Sequence, residues 1–410
     1  MELIHTARRN VFNFNIMKSY VFITDGHWRK SLAAVRSLGR RGIRVTVGES
    51  TRLAMAAFSR HCHRGFVYPS PFFRPGDFLD CLYGHLSSCA YQMMLPMEDR
   101  TLELISRHHD DFSRLTYLPM VSHETLDFAQ RKDKVLFLAQ KLGIPTPKTW
   151  VIQDLPALER LKERLVYPVV IKPRRGSGAV GIAYPASRQA LVAQYHRIHS
   201  RFPYPMVQEM IPRTGSGYGV SLLMDANAQV KASFVHKRLR EFPVSGGAST
   251  LRESVRRDDI LDMAVTLLKA LNWFGVAMVE FKLDPRDNLP KLMEINPRFW
   301  GSLPLAIAAG VDFPHLLYRL SRREKFAPVT RYKIGQRARW LLPGDILHFI
   351  HHPHPSRLVP DFFNFWDTDT VYDILSFTDP LPALARILTP LTFLYDLDMR
   401  LRLKNRKRDG

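Results

Sequence analysis

Two glutamates placed symmetrically about a turn constrain this chain more than any other feature. Residues 275–284 and 290–296 are β-rich runs, and Pro285-Arg286-Asp287-Asn288-Leu289 separates them. A hairpin centred on Asp287 sets Glu280 directly opposite Glu294. Like charges opposed across a ladder destabilise it, and at ~5 Å one carboxylate resists ionising unless a cation lies between them. Asn296 lies two residues beyond Glu294 and shares its face, because strand side chains alternate. Two carboxylates and an amide oxygen on one face form a hard-oxygen site, the kind Mg²⁺ takes when it also holds phosphates. A partly solvated edge carrying two acids by chance is the alternative. Against it stands the cost of burying unpartnered acids in apolar strands.

The chain has 410 residues, 46% of them hydrophobic, enough for two or three domains. Cys62, Cys81 and Cys89 are odd in number and lack metal-type spacing, which suits a reducing compartment, the cytoplasm. His61-Cys62-His63 is too contiguous to converge on one ion. The formal charge of +21 and pI near 10.1 imply attraction to anions. No zinc-finger or RNP-like motif accompanies that charge, so no specific nucleic-acid partner is expected. Residues 1–17 lack a clean apolar stretch with a small-residue cleavage site, and Met17 directly precedes the first strand as an alternative start. No apolar run reaches about 18 residues, so no membrane span is expected.

The pattern Tyr20–Thr24, helix from about Lys30 to Arg40, then Ile43–Val47 predicts a βαβ unit, and Tyr91–Leu95 adds a strand. The first βα turn, Asp25-Gly26-His27-Trp28, has one glycine, too few for a dinucleotide fingerprint. A Rossmann-like support domain remains. Further on, a helix through Lys132–Lys141 stops at Leu142-Gly143-Ile144-Pro145. Strand 168–172 then leads into Pro173-Arg174-Arg175-Gly176-Ser177-Gly178-Ala179-Val180-Gly181, ahead of strand Ile182–Tyr184. These glycines join strands instead of opening a helix, so they suit a lid whose backbone N–H groups cradle a polyphosphate, with a plain flexible hairpin as the alternative. Met206–Pro212 is a short strand bearing one acid, Ser221–Asp225 and Val230–His236 are further strands, and 258–271 is a helix.

In order, then, come a Lys before Gly-Ile-Pro-Thr-Pro, a strand ending in Lys before a Gly-rich hairpin, Gln-Glu-Met-Ile-Pro, Glu280, and Glu-Ile-Asn-Pro-Arg at 294–298. The series, from about Tyr20 to Leu320, resembles the ATP-grasp superfamily, closest to the carbamoyl phosphate synthetase type and to carboxylate–amine ligases. The resemblance implies an α/β (α+β) ATP-grasp fold: an N-terminal extension (1–17), a Rossmann-like domain (18–125), a lid subdomain (126–212), an antiparallel-sheet subdomain with the metal site (213–330) and a helical C-terminal extension (331–410).

It also implies roles. Lys134 and Lys172 would contact ATP phosphates, with Gly176, Ser177 and Gly178 in the lid loop. Gln208, Glu209, Met210 and Ile211 would line the adenine, Glu209 taking its amino group. Glu280, Glu294 and Asn296 would hold Mg²⁺ or Mn²⁺, two ions in all, and Arg298 would face the γ-phosphate. Lys237 and Arg238 would flank the transferred phosphoryl group, Lys237 ahead on alternation. The ribose-contacting acid of many members has no counterpart in Arg213–Gly219.

Between the basic strand and the next helix, Ser245, Gly246 and Gly247 suit close approach of a substrate carboxylate, and Arg240 or Arg252 a bidentate clamp. An ordinary loop is the alternative there. The implied activity is ATP- and Mg²⁺-dependent ligation of a small-molecule carboxylate to an amine through an acyl phosphate. Alternatives are a phosphotransferase or carboxylase on the same scaffold, a non-catalytic nucleotide-binding regulator, and a basic surface-binding protein working through 340–410. The basic end, Leu401–Arg408, is read as a solvated tail, with weak contact to an anionic membrane surface as the alternative. The apolar C-terminal region is a candidate homodimer surface.

Overall fold

A computed structural model describes residues 20–176, 180–244 and 246–395, the side chains of 390–395 excepted. The N-terminal sheet is parallel, with strands β1 (Tyr20–Ile23), β2 (Arg44–Glu49), β3 (Arg64–Val67) and β4 (Met93–Leu95) in the order β3-β2-β1-β4. Helix α1 (Arg29–Gly39) makes the β1–β2 crossover. Its apolar stripe, Leu32, Val35 and Leu38, is fully buried. In the β1–α1 turn Asp25 takes a left-handed φ of 58°, and its carboxylate accepts from Thr101 Oγ1 and the Glu98 amide.

Helix α2 (Lys132–Lys141) leads into a small antiparallel sheet of β5 (Thr149–Val151), β6 (Val169–Lys172) and β7 (Met206–Glu209), ordered β5-β7-β6. The strand expected at 182–184 is a single bridge, Ala183 to Ile171. This lid has its own core, formed by Ile152, Leu158, Val169, Ile171, Leu191, Tyr195 and Val207 among others.

The large sheet holds β8 (Gly217–Met224), β9 (Val230–Phe242), β10 (Ala248–Ser254), β11 (Gly275–Asp284), β12 (Leu289–Asn296), β13 (Arg337–Arg339) and β14 (Thr370–Tyr372). Their order is β12-β11-β8-β9-β10-β13-β14. Val220, Leu222, Val279 and Phe281 face one core, while Leu223, Phe234, Val276 and Met278 face another shared with the parallel sheet. Contrary to the expectation of a separate C-terminal extension, β13 and β14 complete this sheet, and buried ion pairs tie the segment inward. Asp345 takes Arg240 and Arg339, Asp373 takes Arg252, and Asp379 takes Arg36. The last helix is α3 (Leu381–Tyr395). Among the described residues no helix is long and apolar enough to cross a membrane.

Candidate functional site

The β11–β12 hairpin closes through the pair Asp284–Leu289. Continued without interruption, that register would set Glu280 opposite Met293 and turn Glu294 to the other face. A bulge after Glu280 shifts the pairing by one residue, so Glu280 stands opposite Glu294 and Met278 opposite Asn296. The Asn296 amide then donates to Glu280 Oε1 at 3.1 Å and to Glu294 Oε1 at 3.4 Å.

Strand β8 contributes to the same face by what it lacks. Glu280 pairs with Gly219, which pairs with His236 on β9. A Cβ on Gly219 would lie 2.3 Å from the His236 ring, and one on Gly217 would lie 3.1 Å from the Arg238 side chain. These two bare positions let Arg238 reach from β9 across β8 and pair with Glu280 at 2.5 Å. Lys237 alternates to the opposite face, in register with Tyr218 of the core. The preference for Lys237 over Arg238 is therefore corrected: Arg238 is the cation at the acids.

Two lysines enclose the acids from the lid side. Lys132, at the start of α2, meets Glu294 Oε2 at 3.1 Å and also donates to the Gly176 carbonyl. Lys172 ends β6 and donates to Gln208 Oε1 at 2.9 Å, and Gln208 is held in turn by Thr149 at 2.8 Å. Enclosure lowers the Lys172 ammonium to about 8 despite the attraction of Glu294. Burial pushes Glu280 up against the pull of Arg238, with Glu294 adding repulsion. Burial would also raise Glu294, but Lys132, Lys172 and Arg238 hold it below the usual carboxylate range.

Lys134 is not part of this cluster. It is 41% exposed on its side chain and lies 3.9 Å from Asp127. The signal for Lys132 was in the helix period: Lys132 shares its face with the buried Val135, Leu136 and Ala139, whereas Lys134 shares its side with the exposed Phe137.

The adenine-side residues lie at the end of β7. Glu209 accepts from the Lys148 amide at 2.8 Å and from Arg286 at 3.2 Å, so both of its oxygens have partners in this conformation. Met210 is half-buried, Ile211 is buried, and the Ile211 carbonyl accepts from Lys282 at 3.4 Å. Gly176 takes a φ of 120°. Ser177, Gly178 and Ser245 lie outside the described residues.

Arg298 makes a bidentate pair with Asp99 of the N-terminal domain at 2.8 and 3.1 Å. That pairing raises its proton affinity further and joins the hairpin to the parallel sheet. Gly246 and Gly247 serve the β9–β10 turn: Gly246 has a φ of 126°, and a Cβ on Gly247 would lie 2.3 Å from the Phe242 carbonyl. Arg240 is paired with Asp345 at a buried position and with Asp361 at the rim.

Arg252 stands directly opposite Arg238 and shares Asp373 with Arg29. Among the described residues Arg252 Nε and Nη1, Arg29 Nη1, Arg238 Nε and His236 Nδ1 are buried without a hydrogen-bond partner. Buried donors left unmade are costly, so an anion on this side of the site would be favoured. Arg29, which the sequence did not single out, comes from α1 and stacks on Trp340 at 3.9 Å.

The family described as "ATP-grasp in the biosynthetic pathway with Ter operon" matches residues 201–341. The carbamoyl phosphate synthase large chain of Xylella fastidiosa (strain Temecula1) is 24% identical over 212 residues, 48% of this chain and 19% of that one. The D-alanine–D-alanine ligase of Mycobacterium avium is 27% identical over 218 residues, 45% of this chain and 55% of that one. The chain thus spans at most about half the length of these curated relatives. Among solved structures, biotin carboxylase from Campylobacter jejuni superposes with a TM-score of 0.65 at 14% identity, over 78% of this chain and 74% of that one. That likeness is one of fold.

Proposed function

We propose that the chain is a member of the ATP-grasp superfamily and an ATP- and Mg²⁺-dependent ligase that joins a carboxylic acid to an amine. The observation that carries the reading is the pair Glu280–Glu294 with Asn296, enclosed by Lys132, Lys172 and Arg238. Among the described residues no three His, Cys, Asp or Glu side chains converge on a point, so the donor set is two carboxylates and one amide oxygen. That set fits Mg²⁺ or Mn²⁺, which keeps several waters and binds mainly through carboxylates and phosphates. An ion there, one or two in number, would neutralise phosphate oxygens. Asn296 would turn its Oδ1 toward it.

In this reading Lys132 and Lys172 hold ATP phosphates from the lid side, and the loop bearing Gly176, Ser177 and Gly178 would offer its backbone N–H groups to the same phosphates. Gln208, Glu209, Met210 and Ile211 line the adenine, Glu209 exchanging one of its present partners for the base. The γ-phosphoryl group leaves the β-phosphate oxygen and bonds to a substrate carboxylate oxygen, with Arg238 beside the moving charge. The amine nitrogen then attacks the acyl carbon, loses its proton and expels phosphate, giving the amide, ADP and phosphate. Arg298 holds the hairpin against the N-terminal domain through Asp99, a positioning role. Arg252 and Arg29 offer their unmade hydrogen bonds to the acid substrate.

The partners are a small-molecule carboxylate and an amine, and the compartment is the cytoplasm. The relatives that are ligases support this reading over phosphotransfer, carboxylation or a silent regulator. The test is ADP release from Mg·ATP against pools of carboxylates and amines, with product mass detection and Glu294→Gln as blank. ADP that requires both acid and amine, with a product lighter than its precursors by one water, is the expected result. Unchanged turnover in Glu294→Gln, or a phosphorylated single acceptor, would overturn the reading.

A further inference from the structure

Helix α3 exposes an aliphatic face where a surface helix ordinarily carries charge. Leu381, Leu384, Ile387 and Leu388 are 53%, 54%, 59% and 47% exposed. They recur at i, i+3, i+6 and i+7, which is one side of the helix. Pro382, Ala383, Ala385 and Thr389 are buried on the other side, where the helix lies on the 3₁₀ turn Met55–Phe58. Just before the helix, Phe377 is fully exposed.

The surroundings of this face are cationic. Arg52 and Arg60 are exposed on either side of the 3₁₀ turn, and Arg60 donates to the Thr378 carbonyl at the start of α3 at 3.2 Å. The sequence has no acid between Glu49 and Asp77 and none between Asp379 and Asp396. Beyond the helix, 400–408 contains six basic residues and no acid, although their placement lies outside the described residues.

We propose that this face docks on an anionic phospholipid bilayer, independently of the ligase reading. The aliphatic stripe would enter the boundary between headgroups and acyl chains, and the arginines would meet anionic headgroups. A second copy of the chain fits less well. Face-to-face pairing would set Arg52 and Arg60 of one copy against the same cations of the other.

The test is co-sedimentation of the full chain with vesicles of phosphatidylcholine alone or with about 30% phosphatidylglycerol, an anionic surface. Binding is expected to the anionic vesicles only, and to weaken near 1 M salt, where the Debye length is about 3 Å. Leu384→Asp with Ile387→Asp should lower it by about tenfold or more. Both positions are exposed, so melting temperature and ATP binding should not change in that variant. Equal binding to both vesicles, no binding to either, or full binding by the variant would overturn the proposal. A vesicle-indifferent dimer that the variant splits would assign the face to a second copy instead.

Discussion

In the proposed site, a proton on Lys172 and a choice between two lysines would decide the nucleotide side. Enclosure leaves the Lys172 ammonium at about 8, so it is charged below that pH and loses its proton as pH rises through it. ATP affinity should therefore fall across pH 8 in the wild type. Lys172→Met should flatten that dependence and lower affinity at neutral pH by about tenfold, read by calorimetry across pH. Two residues decide the other side of the phosphates. Lys132→Met should cost about a hundredfold in turnover, because it leaves Glu294 without its nearest cation, whereas Lys134→Met should change turnover by less than about threefold. An outcome with the two reversed would mean that α2 turns when nucleotide binds. The Lys-rich start of this helix reads from sequence as a candidate phosphate contact. Which lysine pointed inward required the helix period, and the family pattern favoured the other one.

Individual strands show how close a correct expectation came to failing. The opposition of Glu280 and Glu294 was legible from their equal distances to Asp287. The hairpin nevertheless closes half a residue away, and only the bulge after Glu280 restores the pair. No sequence rule placed that bulge. Strand β8 was legible as apolar, but its Gly217 and Gly219 look like weak points in a strand until Arg238 and His236 are seen to pass over them. Gly219→Val should destabilise the chain by about 1–3 kcal/mol, through overpacking against His236. It should also move Arg238 off Glu280, so turnover should fall further than stability accounts for. Urea unfolding and ADP release on one variant distinguish the two effects.

Across the whole molecule, the last third of the chain supplies the acids that make the central arginines tolerable. Arg240, Arg252 and Arg36 are buried or nearly so, and their carboxylates are Asp345, Asp373 and Asp379. Nothing in the local sequence of Arg240 or Arg252 announces partners more than a hundred residues away, so neither ion pair was legible. Likewise β13 and β14 are three residues each and vanish in a stretch rich in Pro and aromatics. Asp373→Ala would strip Arg252 and Arg29 of their shared carboxylate and should cost about 3–5 kcal/mol, seen as a lower urea midpoint. Arg252→Met added to it should recover part of that loss.

The outer part of the lid keeps its hydrocarbon to itself: Leu158, Ile171, Leu191, Tyr195 and Val207 pack with one another, whereas Met206 and the α2 side join the core of the large sheet. Swinging it open therefore wets little oil. What holds it shut is a handful of polar contacts, Lys132 on Glu294 and Arg286 on Glu209 among them. Such a latch should loosen with dissolved ions and respond little to temperature-driven changes in hydration, so lid opening, read by hydrogen exchange, should rise with added salt more than with warming.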